Sequence, residues 1–261
     1  MKVHHGLMAF LPFLLAMPVL AQPQIGGGTC SSATLSGTYS ATLTGRDLSS
    51  AVAFSSSTQG IGSVVFDGLS KVTFTLTTNT VKAFGIPQTL SGTYSLQANC
   101  VGVLTLSSGD NASFTLEAYN LGRAYLLTGQ DGVYSLTANG SVLPATCPAS
   151  VTAGSYVVNG NGFGLSSAAI SSTFNLLGMI QFSGTNTIAV NINLASSAGA
   201  KTISATGTYT LSSNCTATAN VTDASGITYS LVFQFTAANG NNFVFSSASV
   251  QSIYTAAGRV L

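Results

Sequence analysis

The stretch that decides the fold is GTYSLQANC at residues 92–100, because it returns as GTYTLSSNC at residues 207–215. Four further segments of the chain recur in the same order and at nearly the same spacing. Self-similarity at a fixed period is the signature of a duplicated structural unit. The other matched segments are Cys-x₆-Gly-x-Tyr (30–39 and 147–156), LSSA (48–51 and 165–168), a glycine leading to Phe-x-Gly (62–68 and 178–184), and TANGSVL with TAAGRVL (137–143 and 255–261).

The repeat predicts the domain organisation. One copy spans residues 30–143, the second spans residues 147–261, and residues 144–146 connect them. A connector of three residues is too short to act as a flexible tether. We therefore expect the two domains to abut in a restricted orientation.

Alternation of apolar and polar residues runs through both copies and indicates β-strands. VTFTLT at residues 72–77 sends Val, Phe and Leu to one face and three Thr to the other, and SFTLEA at 113–118 and YSLVFQF at 229–235 alternate in the same way. This period of two is typical of half-buried strands. Turn dipeptides separate the runs, at Asp67-Gly68, Asp131-Gly132, Ser225-Gly226 and Asn239-Gly240. Each copy is expected to be all-β, with about 8–10 antiparallel strands.

Short, evenly spaced strands without crossover helices favour an antiparallel meander. Such a sheet hides its edges either by closing into a barrel or by folding as a sandwich, and the pattern leaves both open, with the barrel favoured. The recurrent Gly-x-Tyr strand starts and the domain length resemble the avidin and lipocalin-type barrels at the level of fold. The chain lacks the Trp that those families carry near their strand starts, since it contains no Trp.

The N-terminus reads as an export signal. A weakly positive start is followed by an apolar run, a proline and small residues ending at Ala21, as signal peptidase requires. The apolar run is shorter than the roughly 20 residues that span a bilayer. The sequence predicts a signal peptide at residues 1–21, a loose leader at 22–29, and a secreted mature chain without membrane insertion, located outside the cell, on its surface or in the periplasm.

The four cysteines occupy matched positions in the two copies. Since an exported chain meets an oxidising compartment, the repeat predicts disulfides Cys30–Cys100 and Cys147–Cys215, one of three possible pairings. Each bond would close a loop within one copy. In the chain-entropy model, a loop of this length stabilises the fold by roughly 4 kcal/mol.

The charge inventory excludes several classes of partner. Loss of residues 1–21 removes Lys2 and both histidines, which leaves six cations and six acids with no run of either sign. Nucleic-acid binding requires a basic stripe that neutralises phosphates, so no nucleic-acid partner is expected. Net charge near zero weakens colloidal repulsion and permits self-association.

The mature chain also lacks most catalytic side chains. Without histidine, neither a Ser-His-Asp triad nor a Cys-His pair can form, and zinc or copper sites have no ligand set beyond the cysteines. The acids are not repeated between the copies: Asp67 aligns with Ser183, and Glu117 aligns with Val232. We expect no enzyme activity, no metal and no cofactor.

Four tyrosines, each two residues after a glycine, recur at matched positions. One interpretation is a ring of aromatic side chains lining a ligand site, and the other is a set of core aromatics whose hydroxyls reach backbone carbonyls. The four are Tyr39, Tyr94, Tyr156 and Tyr209.

The sequence therefore predicts a secreted, non-catalytic structural, adhesive or surface-binding protein, whose partner is a surface, a polysaccharide or a protein. The alternative is a β-barrel that binds a small apolar ligand or a carbohydrate. The two differ in the barrel interior, which is filled in the first case and hollow in the second.

Overall fold

The structure is a computed structural model, and it describes residues 29–47, 57–107, 112–130, 134–151, 153–166, 169–197 and 199–261. The signal peptide expected at 1–21, nearly all of the expected leader and the Asp131-Gly132 dipeptide lie outside these residues. No helix in the described part of the chain is long and apolar enough to cross a bilayer.

The described chain is almost entirely β. A short 3₁₀ helix (Ser32–Thr34) precedes the strands of the first half, which are β1 (Ser36–Asp47), β2 (Ser57–Asp67), β3 (Lys71–Thr80), β4 (Ile86–Leu96), β5 (Val101–Leu106), β6 (Ser113–Tyr119), β7 (Ala124–Gln130) and β8 (Tyr134–Ser141). The strands of the second half are β9 (Gly154–Ser166), β10 (Ala169–Phe182), β11 (Thr187–Ser196), β12 (Gly199–Leu211), β13 (Thr216–Asp223), β14 (Thr228–Phe235), β15 (Asn242–Ser249) and β16 (Ser252–Val260).

Each half is a closed antiparallel barrel of eight strands. Every strand pairs with the next along the chain, and the last pairs with the first, β8 with β1 and β16 with β9. We call these barrel 1 (β1–β8) and barrel 2 (β9–β16). Closure removes the free edges of the sheet. The prediction of an all-β meander with about 8–10 strands per copy is confirmed, with eight strands in each. Of its two alternatives the barrel, not the sandwich, is present.

Local pattern and turn chemistry explain the strands. On β3, Val72, Phe74 and Leu76 are buried inside the barrel, whereas Thr73 and Thr75 are exposed. The expected hairpin glycines at 68, 226 and 240 have φ of +77°, +83° and +71°, the left-handed region that glycine adopts without steric cost.

An aromatic cluster fills each barrel around one phenylalanine. In barrel 1, Phe66 lies 4.9–5.5 Å, centroid to centroid, from three tyrosine rings. In barrel 2, the matched Phe182 lies 5.1–6.5 Å from five rings, those of Tyr156, Tyr209, Phe233, Phe235 and Phe243. Most of these contacts are edge-to-face, which is the favourable geometry for aromatic pairs.

Two of the recurrent glycines are required by close strand approach. A Cβ at Gly92 would overlap the carbonyl oxygen of Thr105 on β5, and a Cβ at Gly207 would overlap that of Asn220 on β13. At these two of the four Gly-x-Tyr positions, the glycine therefore makes room for the neighbouring backbone.

The disulfides are Cys30–Cys100 and Cys147–Cys215, which is the pairing that the repeat predicts. In both barrels the bond ties the segment before the first strand to the turn after the fourth strand. Both second cysteines, Cys100 and Cys215, have positive φ, 68° and 63°. Since non-glycine residues rarely adopt this conformation, it marks the two turns as equivalent.

The barrels contact each other through the outer face of β2. Ile61 points away from the interior of barrel 1, yet it is 1% exposed, and Gln59 beside it is 0% exposed. The Nδ2 of Asn79 donates a hydrogen bond of 2.7 Å to the Oγ of Ser246 in barrel 2. A small apolar cluster unites Val81 of barrel 1 with three side chains of barrel 2, those of Leu165, Ala248 and Ile253.

Candidate functional site

The four repeated tyrosines lie in the barrel cores, each at most 5% exposed. The Tyr39 hydroxyl donates to the carbonyl oxygen of Gly122 at 2.6 Å, and the Tyr156 hydroxyl donates to that of Gly240 at 3.1 Å. These two carbonyls occupy the same turn, after the sixth strand of each barrel. A buried hydroxyl bonded to backbone in this way fixes a turn to the core.

The other two tyrosines have the same role at different carbonyls. Tyr94 donates to Leu35 at 2.8 Å, and Tyr209 donates to Ser183 at 3.2 Å. Burial raises the pKa of Tyr94 to about 12 and also raises the pKa of Tyr39 and Tyr209. At neutral pH all three therefore remain protonated donors. All four repeated tyrosines thus lie in the barrel cores.

Asp67 serves as a turn cap. Its Oδ1 accepts the backbone N–H groups of Leu69, Ser70 and Lys71 at 2.8, 2.8 and 2.9 Å. Desolvation opposes ionisation, but these hydrogen bonds and the Lys71 charge prevail and lower the pKa of Asp67. The carboxylate thus stabilises the β2–β3 turn.

The matched residue of barrel 2, Ser183, caps the equivalent turn with a hydroxyl. Its Oγ accepts the N–H groups of Thr185 and Thr187, both at 3.2 Å. The two copies thus cap the same turn with different side chains, a carboxylate in barrel 1 and a hydroxyl in barrel 2.

Two further acids occupy different settings. Asp223 accepts hydrogen bonds from the side chain of Ser225 at 2.7 Å and from the N–H of Ile227 at 3.0 Å, and these bonds lower its pKa. Glu117 lies half-buried on the outer face of β6, as its strand pattern predicts. Among the described residues, no group of three His, Cys, Asp or Glu could hold a metal ion.

Two clefts flank the contact between the barrels. The first, of about 700 Å³, contains Arg259 and is called the arginine cleft. The second, of about 610 Å³, is called the threonine cleft, after Thr75, Thr77, Thr216 and Thr218. Both volumes lie in the range of sites that hold small ligands.

The arginine cleft is built from outer faces of both barrels. β1 and β8 form one wall, with Ser40, Thr42, Asn139 and Ser141 facing outward, and Tyr119 at the end of β6 adds an aromatic ring. β9, β10, β15 and β16 form most of the opposite wall. The residues of that wall include Val157, Asn159, Leu177, Asn242, Val244, Ala257, Arg259 and Leu261.

The threonine cleft lies on the other side of the contact. Ile61 and Ser63 of β2 stand opposite Thr77 and Thr75 of β3 on one wall. The other wall pairs Thr216 and Thr218 of β13 with Gln234 and Val232 of β14. The segment from Leu143 to Cys147 closes one side, and the described lining contains no charged side chain.

Neither cleft was anticipated from the sequence. The lining residues come from strands more than 100 residues apart, such as Asn139 and Asn242. Alternation predicts that these residues face outward, but it does not predict which outer faces meet. The available signal was the short connector, which indicates that the two domains abut and therefore enclose a boundary.

No family model matches the chain, and no curated protein matches it. Among solved structures, the chain is similar to isotype 1 transferrin binding protein B (TbpB) from serogroup B Neisseria meningitidis. The identity is 10% and the TM-score is 0.32, over 85% of this chain and 75% of that one. The description that follows from the chain's own geometry is a tandem β-barrel protein with filled interiors and two inter-barrel clefts.

Proposed function

We propose that this is an exported, non-catalytic binding or adhesive protein that contacts its partner through the outer surfaces of the two barrels. The observation that carries the proposal is the filled interior. Phe66 and Phe182 pack at the centres of aromatic clusters, so a ligand inside either barrel would have to displace them. Binding on the outside requires no such rearrangement.

The distribution of acids supports a role without catalysis. General acid–base chemistry needs a proton-transfer group whose pKa lies near the working pH. Asp67 and Asp223 have lowered pKa values and are held by turn hydrogen bonds. Glu117 has no carboxylate counterpart in barrel 2, where Val232 stands.

The outer surface is suited to contact with a hydrated partner. Hydroxyl and amide side chains provide its polarity, since charged residues make up 5% of the chain. Two intrachain disulfides are typical of proteins in an oxidising compartment. These features favour a location on or outside the cell surface.

The proposal is tested with the mature chain, residues 22–261. Labelled protein is incubated with isolated cell envelopes and with insoluble polysaccharides, and the retained fraction is measured after washing. We expect saturable retention that excess unlabelled protein displaces. The same chain, reduced and denatured, serves as the control and should not be retained in a displaceable manner.

Two results would overturn the proposal. One is absence of displaceable retention on every surface. The other is a turnover in a hydrolase or transferase screen that disappears in Glu117→Gln while the circular dichroism spectrum is unchanged.

The alternative, a barrel that binds a small apolar ligand inside, makes a different prediction. It requires uptake of a hydrophobic fluorescent probe by the native chain, together with a change in the near-ultraviolet spectrum of the core tyrosines. The packed clusters favour the opposite outcome, in which the native chain leaves the probe in water.

A further inference from the structure

We infer that the arginine cleft is a binding site for an acidic saccharide, a chain of sugar rings that carry carboxylates. This inference rests on the proposed surface-binding function and names the ligand class of one surface. It follows from the arrangement of outward side chains on barrel 2, the uncompensated charge of Arg259, and the hydroxyl and aromatic groups of barrel 1.

Strand register fixes two parallel rows of side chains on the barrel 2 wall. One row runs across the strands as Leu177, Asn159, Ala257 and Val244, and the next runs as Val157, Arg259 and Asn242. Each row combines apolar side chains with an amide, and one row adds the guanidinium. A sugar ring has the same composition, with C–H faces that pack on apolar groups and hydroxyls that hydrogen-bond to amides.

Arg259 gives the cleft its charge preference. Among the described lining residues it is the one charged side chain, and no Asp or Glu lines the cleft. Its guanidinium forms no ion pair or side-chain hydrogen bond with any described residue. A planar guanidinium binds a carboxylate through two parallel hydrogen bonds, so an anionic ligand is the complement of this wall.

The barrel 1 wall supplies the groups that neutral parts of a saccharide require. Thr42 and Asn139 stand opposite each other on β1 and β8. The ring of Tyr119 is 38% exposed, and its hydroxyl has no hydrogen-bond partner among the described residues. An exposed tyrosine presents a flat apolar ring with a polar edge, which suits stacking on a sugar face.

Other polymeric ligands fit the cleft less well. A nucleic acid would need several cations to neutralise its phosphates, and this lining offers Arg259 alone. An extended peptide commonly adds to a free sheet edge, and both sheets are closed. An acidic saccharide needs neither several cations nor a free edge.

The test uses a matched pair of probes, tetragalacturonate and its fully methyl-esterified form, which keep the same rings and differ in charge. Binding to the mature chain is measured by isothermal titration calorimetry. We expect the acid form to bind at least about tenfold more tightly than the ester, because the ester loses the charge-assisted hydrogen bonds to the guanidinium. Because charge attraction is screened by salt, this preference should decrease as salt is added.

Variants locate the site. Arg259→Gln should abolish the preference for the acid form, and Arg259→Lys should retain part of it. Tyr119→Ala should lower the affinity for both probes to the same extent. Lys71→Gln is the matched control, because it removes one exposed cation that lines neither cleft and should leave both affinities unchanged. Circular dichroism verifies the fold of each variant.

Equal affinity for acid and ester, or an unchanged preference in Arg259→Gln, would overturn the inference. Absence of binding to either probe would overturn it as well. In that case, displaceable retention on envelopes would show that the surface-binding function stands without this site. Absence of retention as well would overturn both the site and the proposed function.

Discussion

Both walls of the arginine cleft include the first and last strands of a barrel, β1 with β8 and β9 with β16, but their chemistry differs. Ser40 and Ser141 of barrel 1 occupy the repeat positions of Val157 and Arg259 in barrel 2. By contrast, Gly140 and Gly258, which also match, both accommodate an aromatic ring of the core, that of Tyr125 in one barrel and Phe243 in the other. At these positions the outward residues change their chemistry between the copies, whereas the inward glycines are kept.

The reason is physical. An inward side chain contacts neighbours on several strands, so a change in its volume leaves a cavity or a clash. An outward side chain contacts mostly water and can change at little cost. The outer faces of the two barrels can therefore differ where a partner can bind. Substitutions test this contrast between inner and outer positions, and the largest expected effect comes first.

Truncation of the central phenylalanine should destabilise barrel 2 more than barrel 1. Phe182→Ala should lower the free energy of unfolding by about 5 kcal/mol and Phe66→Ala by about 3 kcal/mol, the ends of the usual range for this change. Phe182 contacts five rings and Phe66 contacts three, so truncation of Phe182 leaves more rings without a packing partner. Urea denaturation of the full mature chain measures both. Equal losses would show that ring contacts do not govern the cost.

Removal of either disulfide should cost the same in both barrels. The loops join residues separated by 70 and 68 positions. Cys30→Ser with Cys100→Ser, and Cys147→Ser with Cys215→Ser, should each cost roughly 4 kcal/mol. Differential scanning calorimetry should show the loss in the affected barrel. A clear inequality would mean that the two turns are not equivalent.

Loss of one core tyrosine hydroxyl should also destabilise the two barrels equally. Tyr39→Phe and Tyr156→Phe each remove the hydrogen bond to the turn after the sixth strand. Each should cost about 1 kcal/mol, the net value of one buried hydrogen bond. Chemical denaturation provides the measurement, with Tyr119→Phe as the exposed control that should cost almost nothing. A cost for Tyr39→Phe alone would contradict the shared role.

The smallest effect is expected at the β2–β3 turn. Asp67→Ser introduces the residue that barrel 2 carries there, so it should leave the melting temperature almost unchanged, as surface substitutions usually do. Asp67→Ala removes the cap and should lower the melting temperature below that of Asp67→Ser. Thermal melts of the two variants, compared at pH 7, decide this. If the serine variant is as unstable as the alanine variant, the carboxylate charge itself is needed.

Much of the fold could be predicted because its signals are local or repeated. Alternation on β3 and the turn at Asp67-Gly68 predicted strands and hairpins, and the matched cysteines predicted the disulfides. The site could not be predicted in this way. Nothing near Arg259 in the sequence distinguishes it from other exposed cations, and its cleft depends on Asn139, 120 residues earlier, across the boundary between the barrels.

The sequence alone determined that this protein is a duplicated all-β chain with one disulfide per copy and no histidine beyond the first 21 residues. These properties follow from composition, spacing and short-range periodicity, which can be read directly from the sequence. The tertiary structure alone decided that each sheet closes as a barrel, that Tyr39 and Tyr156 point to backbone carbonyls in the core, and that two clefts lie between the barrels. Closure requires β1 to pair with β8, and each cleft requires two outer faces to meet. Both contacts join residues distant along the chain, and no local pattern specifies them.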